Sequence, residues 1–91
     1  MKFEWDEQKA KANLAKHKVS FNEAQTVFDD PLYLIFADVD HSFAEKRLII
    51  MGESHKRKLL VVAFIEYEAA TRLISARTAT PSERKNYEQE N

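Results

Sequence analysis

Seven consecutive apolar residues, Leu59-Leu60-Val61-Val62-Ala63-Phe64-Ile65, constrain this chain more than any other feature in it. Side chains alternate between the two sides of a β-strand, so a strand that is apolar at every position needs cover on both. The run is far shorter than the roughly 18–20 residues of a membrane span, and no longer apolar run occurs. It predicts a central strand with strands beside it and helices against the sheet. Ninety-one residues supply one core and one domain, taken as residues 1–91. An apolar fraction of 44% with 11% aromatics is that of a chain that folds.

The flanking segments build the rest of the sheet. Leu32 to Ala37 reads as a short strand and Asp38 to Phe43 as a polar loop. Glu45 to Met51 reads as a strand ended by Gly52, which permits the chain to reverse across Glu53 to Arg57. Glu66 to Ala70 is the next turn, and Thr71 to Arg77 the last strand. Strict alternation there sets Arg72, Ile74 and Ala76 opposite Leu73, Ser75 and Arg77, so Arg72 and Arg77 point to opposite faces. Hairpin-length connections make this an antiparallel meander of about four strands.

Helices frame the meander. Lys2 to Trp5 reads as an edge strand, with Phe3 and Trp5 on one side. Asp6 caps a helix running to about His17, with Ala10, Leu14 and His17 on one face. Ser20-Phe21-Asn22-Glu23 is a capping box, followed by a buried stripe of Phe21, Ala24, Val27 and Phe28. Asp29-Asp30-Pro31 stops that second helix, because proline disfavours helix in the residue before it. Thr80-Pro81-Ser82-Glu83 opens a third helix to about Glu90, with threonine at the cap, proline first and glutamate third. The class is α+β: two N-terminal helices, the meander and one C-terminal helix.

Composition removes whole classes of function. One glycine and two prolines leave no glycine-rich phosphate loop, so no nucleotide cofactor is expected. The absence of cysteine excludes disulfides and thiolate metal sites and fits a reducing cytoplasm. The N-terminus is charged at Lys2, Glu4, Asp6 and Glu7 and lacks the apolar core of a secretion signal, so a cytoplasmic protein away from membranes is expected. Asp38, Asp40 and His41 are the sole cluster resembling hard-metal ligands; they lack a fourth well-spaced donor, so no metal is expected. The net charge of −1 conceals an asymmetry: Val19 to Glu45 holds six acids and no Lys or Arg, whereas Lys46 to Lys85 holds nine bases against four acids, 9 − 4 = +5. The second half, with the lysine-rich first helix, either presents a surface to a polyanion or is an ordinary mixed solvated surface.

Phe3-Glu4-Trp5-Asp6, then Lys9, Asn13, Lys16-His17, Phe21, Ala24 and Val27-Phe28-Asp29-Asp30-Pro31 together resemble the opening of BrnT-type toxins. The likeness continues through Glu45-Lys46-Arg47, Gly52 and Leu59 to Val62. It ends at Arg72-Leu73-Ile74-Ser75-Ala76-Arg77 with Ala79, Glu83 and Tyr87, so it spans nearly the whole chain. The resemblance implies a fold like that of the RelE-type ribonuclease toxins. It also implies RNA cleavage that arrests translation and neutralisation by a BrnA-type antitoxin, through which alone operator DNA would be met. One position departs from the family: Lys18 stands where a glycine usually follows the Lys–His pair.

Metal-free RNA cleavage needs a base for the 2′-hydroxyl, an acid for the departing 5′-oxygen and cations for the charge building on phosphorus. Arg72 and Arg77 are candidates to hold phosphate, or else structural partners of carboxylates such as Glu83 or Glu45. Glu45 and Arg47 are a base beside a phosphate clamp, or a solvated pair. His17 is a general acid at a helix C-terminus, or a cap for its last carbonyls. Tyr87, four residues after Glu83, stacks on a base or moves a proton, or is simply a core tyrosine. Lys16, Lys46 and Arg84 are the flanking cations expected to meet RNA. A contrasting function is a non-catalytic interaction module that works within an operon-repressing complex.

Overall fold

The computed structural model describes residues 1–41 and 46–91, leaving out Ser42 to Glu45 and the side chain of His41. Ten elements follow one another: strand β1 (Lys2–Glu4), helices α1 (Glu7–His17) and α2 (Phe21–Gln25), a 3-10 turn (Thr26–Asp29), β2 (Leu34–Ala37), a second 3-10 turn (Val39–His41), β3 (Arg47–Glu53), β4 (Leu59–Tyr67), β5 (Ala70–Thr78) and α3 (Pro81–Glu90). The α+β class holds, with three helices among the described residues. The sheet differs from the expected four-stranded antiparallel meander. It has five strands in the order β1-β5-β4-β3-β2, and it is mixed, because β1 pairs parallel to β5. The edge strand at Lys2–Glu4 is the missing member: α1 and α2 carry the chain to the far edge of the sheet before β2 begins.

The apolar run is the central strand, and its two faces belong to two different cores. Leu60, Val62 and Phe64 meet Val19, Phe21, Ala24, Val27, Ile50, Leu73 and Ala76 on one face, under α1 and α2. Phe28 stands edge-on between Phe3 and Phe64, with ring centroids 5.0 and 5.1 Å away. Leu59 and Val61 meet Met51 on the other face, where Leu34, Ile49, Ala79 and Tyr87 partly cover them. The first is the helical face below, the second the α3 face.

Helix α1 begins as expected, with Asp6 accepting from Gln8 and Lys9 N–H at 2.8 and 3.1 Å. Its inward stripe is not the expected one. Leu14 is half exposed, and the buried residue is Asn13. The Asn13 amide donates to the carbonyls of Val19 (2.9 Å) and Ala76 (2.8 Å) and accepts from Ala76 N–H (3.0 Å). β1 pairs with β5 only as far as Arg72, so beyond it this single amide serves both backbone groups of Ala76 as a neighbouring strand would.

The helix ends on Lys18 in the left-handed conformation, φ 61° and ψ 26°, its N–H donating to Leu14 at 3.0 Å. A side chain in this region costs about 1 kcal/mol relative to glycine. Lys18→Gly is therefore expected to raise stability by about 1 kcal/mol, a melting shift of roughly 4–8 °C for a chain this short. A thermal melt in which Lys18→Gly is no more stable than wild type would show that the Lys18 Nζ bond to Ala15, 3.1 Å, offsets the strain.

Helix α2 carries half of the expected capping box. Ser20 Oγ accepts from Glu23 N–H at 3.0 Å, but the buried Glu23 carboxylate turns away and accepts from Ser54 Oγ at 2.6 Å. The carboxylate thereby ties α2 to the β3–β4 hairpin. Gly52 also behaves differently from expectation. It lies inside β3 without a positive φ, and the turn's left-handed residue is Arg57, φ 65°. Glycine is needed there for space, since a Cβ would stand 2.9 Å from Val27 Cγ1 and 3.1 Å from Asp30 Oδ2.

Candidate functional site

The decisive feature of β5 is an irregularity in its pairing with β4. Arg77 lies opposite Val61, Ala76 opposite Val62 and Ser75 opposite Ala63, but Phe64 is met by Leu73, so Ile74 is an extra residue. A bulge of this kind inverts the alternation beyond it. Leu73 and Ala76 consequently share the helical face, while Arg72, Ser75 and Arg77 share the other. The expectation that Arg72 and Arg77 face opposite ways fails for this reason: Ile65 and Val61, their partners on β4, are four residues apart and on one side.

Register across the sheet adds the third arginine. Arg47 on β3 also lies opposite Ile65, so Arg47, Ile65 and Arg72 form one row across three strands. Neighbouring strands stand about 4.8 Å apart, which puts the two backbones about 10 Å from each other. The next row is Ile49, Ala63 and Ser75, and the one after it Met51, Val61 and Arg77. Small side chains at Ala63 and Ser75 leave a depression between the long ones. Asp38, Arg47, Ile49, Val61, Ala63, Ser75 and Arg77 line a cleft of ≈ 250 Å³ there.

Each arginine of this face also meets a carboxylate. Arg47 Nε lies 3.6 Å from Asp38, and Arg72 Nε 3.1 Å from Glu4, which the parallel pairing of β1 sets beside it. The Arg72 pair is well exposed, so it contributes under about 1 kcal/mol and exchanges readily. Arg77 is held more firmly: Nη1 and Nη2 donate to the two Glu83 oxygens at 2.7 and 2.8 Å. Hydrogen bonds from this fork, against the effect of burial and with help from Thr80 N–H, hold the Glu83 carboxyl down at about 2, while Glu83 raises Arg77 above its ordinary value. Glu83 sits there because the predicted capping box of α3 forms, with Thr80 N–H donating to Glu83 Oε1 at 2.8 Å and Glu83 N–H to Thr80 Oγ1 at 3.2 Å. A guanidinium has five N–H groups, so Arg77 retains its Nε/Nη2 edge for a second acceptor.

The remaining candidates are placed apart from this cleft or outside the described residues. His17 and Lys16 end α1, which packs by Ala10 and Asn13 against the helical face, the side away from the arginines. Tyr87 is on the α3 face but at its other end, where its hydroxyl donates to Asp30 Oδ2 at 2.5 Å. Burial first, then that bond, push the Tyr87 hydroxyl up to about 12. Burial acts to raise Asp30, but bonds from Tyr87, Glu53 N–H and Leu32 N–H prevail and keep it below the ordinary carboxylate range. Tyr87 is thus a clasp for α3. Arg84 is exposed on α3 and Lys46 exposed next to Arg47. Glu45 lies outside the described residues. Asp38, which the sequence sets in a cluster resembling metal ligands, lines the cleft. Ser75 shares the face of Arg77 by simple alternation, and its small size beside Ala63 is what opens the cleft; only the presence of Arg72 on that face depends on the bulge. Among the described residues no group of three or more His, Cys, Asp or Glu side chains converges to hold a metal.

A family model described as the ribonuclease toxin BrnT of type II toxin–antitoxin systems matches residues 5–83. A 1.1 Å crystal structure of the Brucella abortus ribonuclease toxin BrnT is similar to this chain, with 29% identity, a TM-score of 0.68, and coverage of 88% of this chain and 97% of that one. No curated protein sequence matches. Among the described residues no helix is long and apolar enough to cross a membrane.

Proposed function

The chain belongs to the BrnT family of ribonuclease toxins of type II toxin–antitoxin systems, and from that premise we propose that it cleaves RNA in the cleft between Arg47 and Arg77. Translation arrest and silencing by a BrnA-type antitoxin in the cytoplasm complete this reading. The observation that carries it is the bulge at Ile74, which sets Arg77 on the same face as Arg47 and Arg72. A phosphodiester seated over Ala63 and Ser75 meets Arg47 on one side and the Nε/Nη2 edge of Arg77 on the other. Arg72 receives the neighbouring phosphate in exchange for Glu4.

The 2′-oxygen attacks phosphorus, the bond to the 5′-oxygen breaks, and a 2′,3′-cyclic phosphate and a 5′-hydroxyl result. The two guanidiniums stabilise the charge on the phosphorane, and the departing oxygen takes its proton from water in the open cleft. Asp38, a lining carboxylate, takes the 2′-hydroxyl proton. Glu45, two residues before Arg47 in the chain, is the competing candidate for that step. Lys46 and Arg84, both exposed, contribute charge along the path of the RNA outside the cleft, whereas Lys16 and His17 lie on the far side of the sheet. Glu83 acts as a positioning residue through Arg77, and Tyr87 keeps the helix that bears Glu83 docked. Cations come from side chains, so the reaction needs no metal.

One observation favours the contrasting module: all three arginines have carboxylate partners. The test separates the two. Expression without the neighbouring antitoxin is expected to arrest growth. Purified protein is expected to release RNA fragments ending in 2′,3′-cyclic or 3′-phosphate in the presence of excess chelator. Intact RNA and unimpaired growth would establish the non-catalytic reading.

A further inference from the structure

β2 forms one margin of the sheet, and among the described residues no strand pairs with its outer edge. Asp38 N–H donates to the Arg47 carbonyl at 2.9 Å. Antiparallel ladders alternate, so Phe36 and Leu34 turn their backbone groups toward β3, and Ile35 and Ala37 turn theirs outward. Natural sheets blunt such edges with lysine, proline or a bulge. Leu34-Ile35-Phe36-Ala37 has none of these.

The side chains point to the shape of what covers this edge. Ile35 is 46% and Phe36 43% exposed, and as adjacent strand residues they project to opposite faces. A helix or flat patch laid on one face would cover one of them. A strand added along the edge borders both. Charge points to its composition. Val19 to Glu45 contains six acids and no Lys or Arg, and Asp29 and Asp40 are exposed on either side of β2. A second copy would bring the same acids to its own edge, so a cationic strand fits where a copy does not.

We propose that the antitoxin adds a β-strand to the outer edge of β2, apolar at alternate positions and flanked by Lys or Arg. The identity of the partner rests on the toxin reading; the edge does not. Ala37→Pro removes an outward N–H while keeping the bonds to β3, and Ile35→Lys introduces a charge of the sign the partner carries. Titrating purified wild type and both variants with the protein of the neighbouring gene is expected to show at least tenfold weaker binding for each variant. Melting temperature, and growth arrest in cells lacking the antitoxin, are expected to stay unchanged. Ile35→Lys binding as tightly as wild type overturns the site. Loss with Ile35→Lys but not with a folded Ala37→Pro overturns strand addition. A wild-type dimer that Ile35→Lys dissolves assigns the edge to a second copy and overturns the proposal. Weakened binding by variants of a chain that never arrests growth would leave the edge standing and remove the toxin reading.

Discussion

Arg47→Ala is expected to lower RNA cleavage by about 10²–10³-fold without unfolding the protein, and Arg77→Ala by a similar factor. Both side chains line the cleft whose floor is made of small residues, Ala63 and Ser75. Charge that develops on phosphorus during attack is stabilised by donors already in place. Arg77→Lys is expected to fail nearly as badly, because an ammonium cannot keep two bonds to Glu83 and still offer a flat edge to phosphate. Arg72→Ala should lose less, since that side chain, two rows from Arg77, does not line the cleft and shares its charge with Glu4. The structural cost of these changes is small, because the Arg77–Glu83 pair is partly exposed and screened by solvent. Single-turnover cleavage of a short RNA, alongside circular-dichroism melts, measures both sides of this expectation. Folded Arg47→Ala and Arg77→Ala proteins that cut at the wild-type rate would remove the cleft from the reaction.

The largest loss of stability is expected from Asn13→Ala, about 3 kcal/mol. The amide is 7% exposed and fully engaged with Val19 and with both backbone groups of Ala76. Its removal leaves buried donors and acceptors without partners, each costing about 1–3 kcal/mol. It also detaches α1 from β5 just beyond the bulge that orients Arg77. For a domain of this size the midpoint should fall by more than 10 °C. Asn13→Asp is expected to destabilise as well, because a carboxylate cannot donate to the two carbonyls. Urea unfolding gives the number directly; a change below about 1 kcal/mol would mean that water replaces the amide.

Most of the element order was legible because it follows from local chemistry. Asp6, Ser20 and Thr80 cap their helices as their side chains predict, and the apolar run is the central strand. What escaped was set by distant partners. The parallel pairing of β1 with β5 joins residues about seventy positions apart, and nothing in Lys2–Glu4 announces it. Glu23 has the spacing of a capping-box acid, yet Ser54, brought near by the hairpin, captures its carboxylate. Asn13 looked like one more polar residue on a surface helix, because its partner Ala76 offers only backbone. The candidate site suffered most from the assumption of regular alternation. Thr71 to Arg77 reads as a perfect strand, and one supernumerary residue at Ile74 brings its two arginines from opposite faces onto one.

Helix α3 has no fully buried residue and is joined to the sheet chiefly at Ala79, by the Arg77–Glu83 fork and by the Tyr87–Asp30 bond. In a hierarchy of opening free energies it therefore belongs near the bottom, well below the strands it rests on. Each excursion of that helix would release Arg77 from Glu83 and let the guanidinium wander. The preorganisation of the cleft accordingly has a ceiling, set by the docking equilibrium of the last ten helical residues rather than by the rigidity of the sheet.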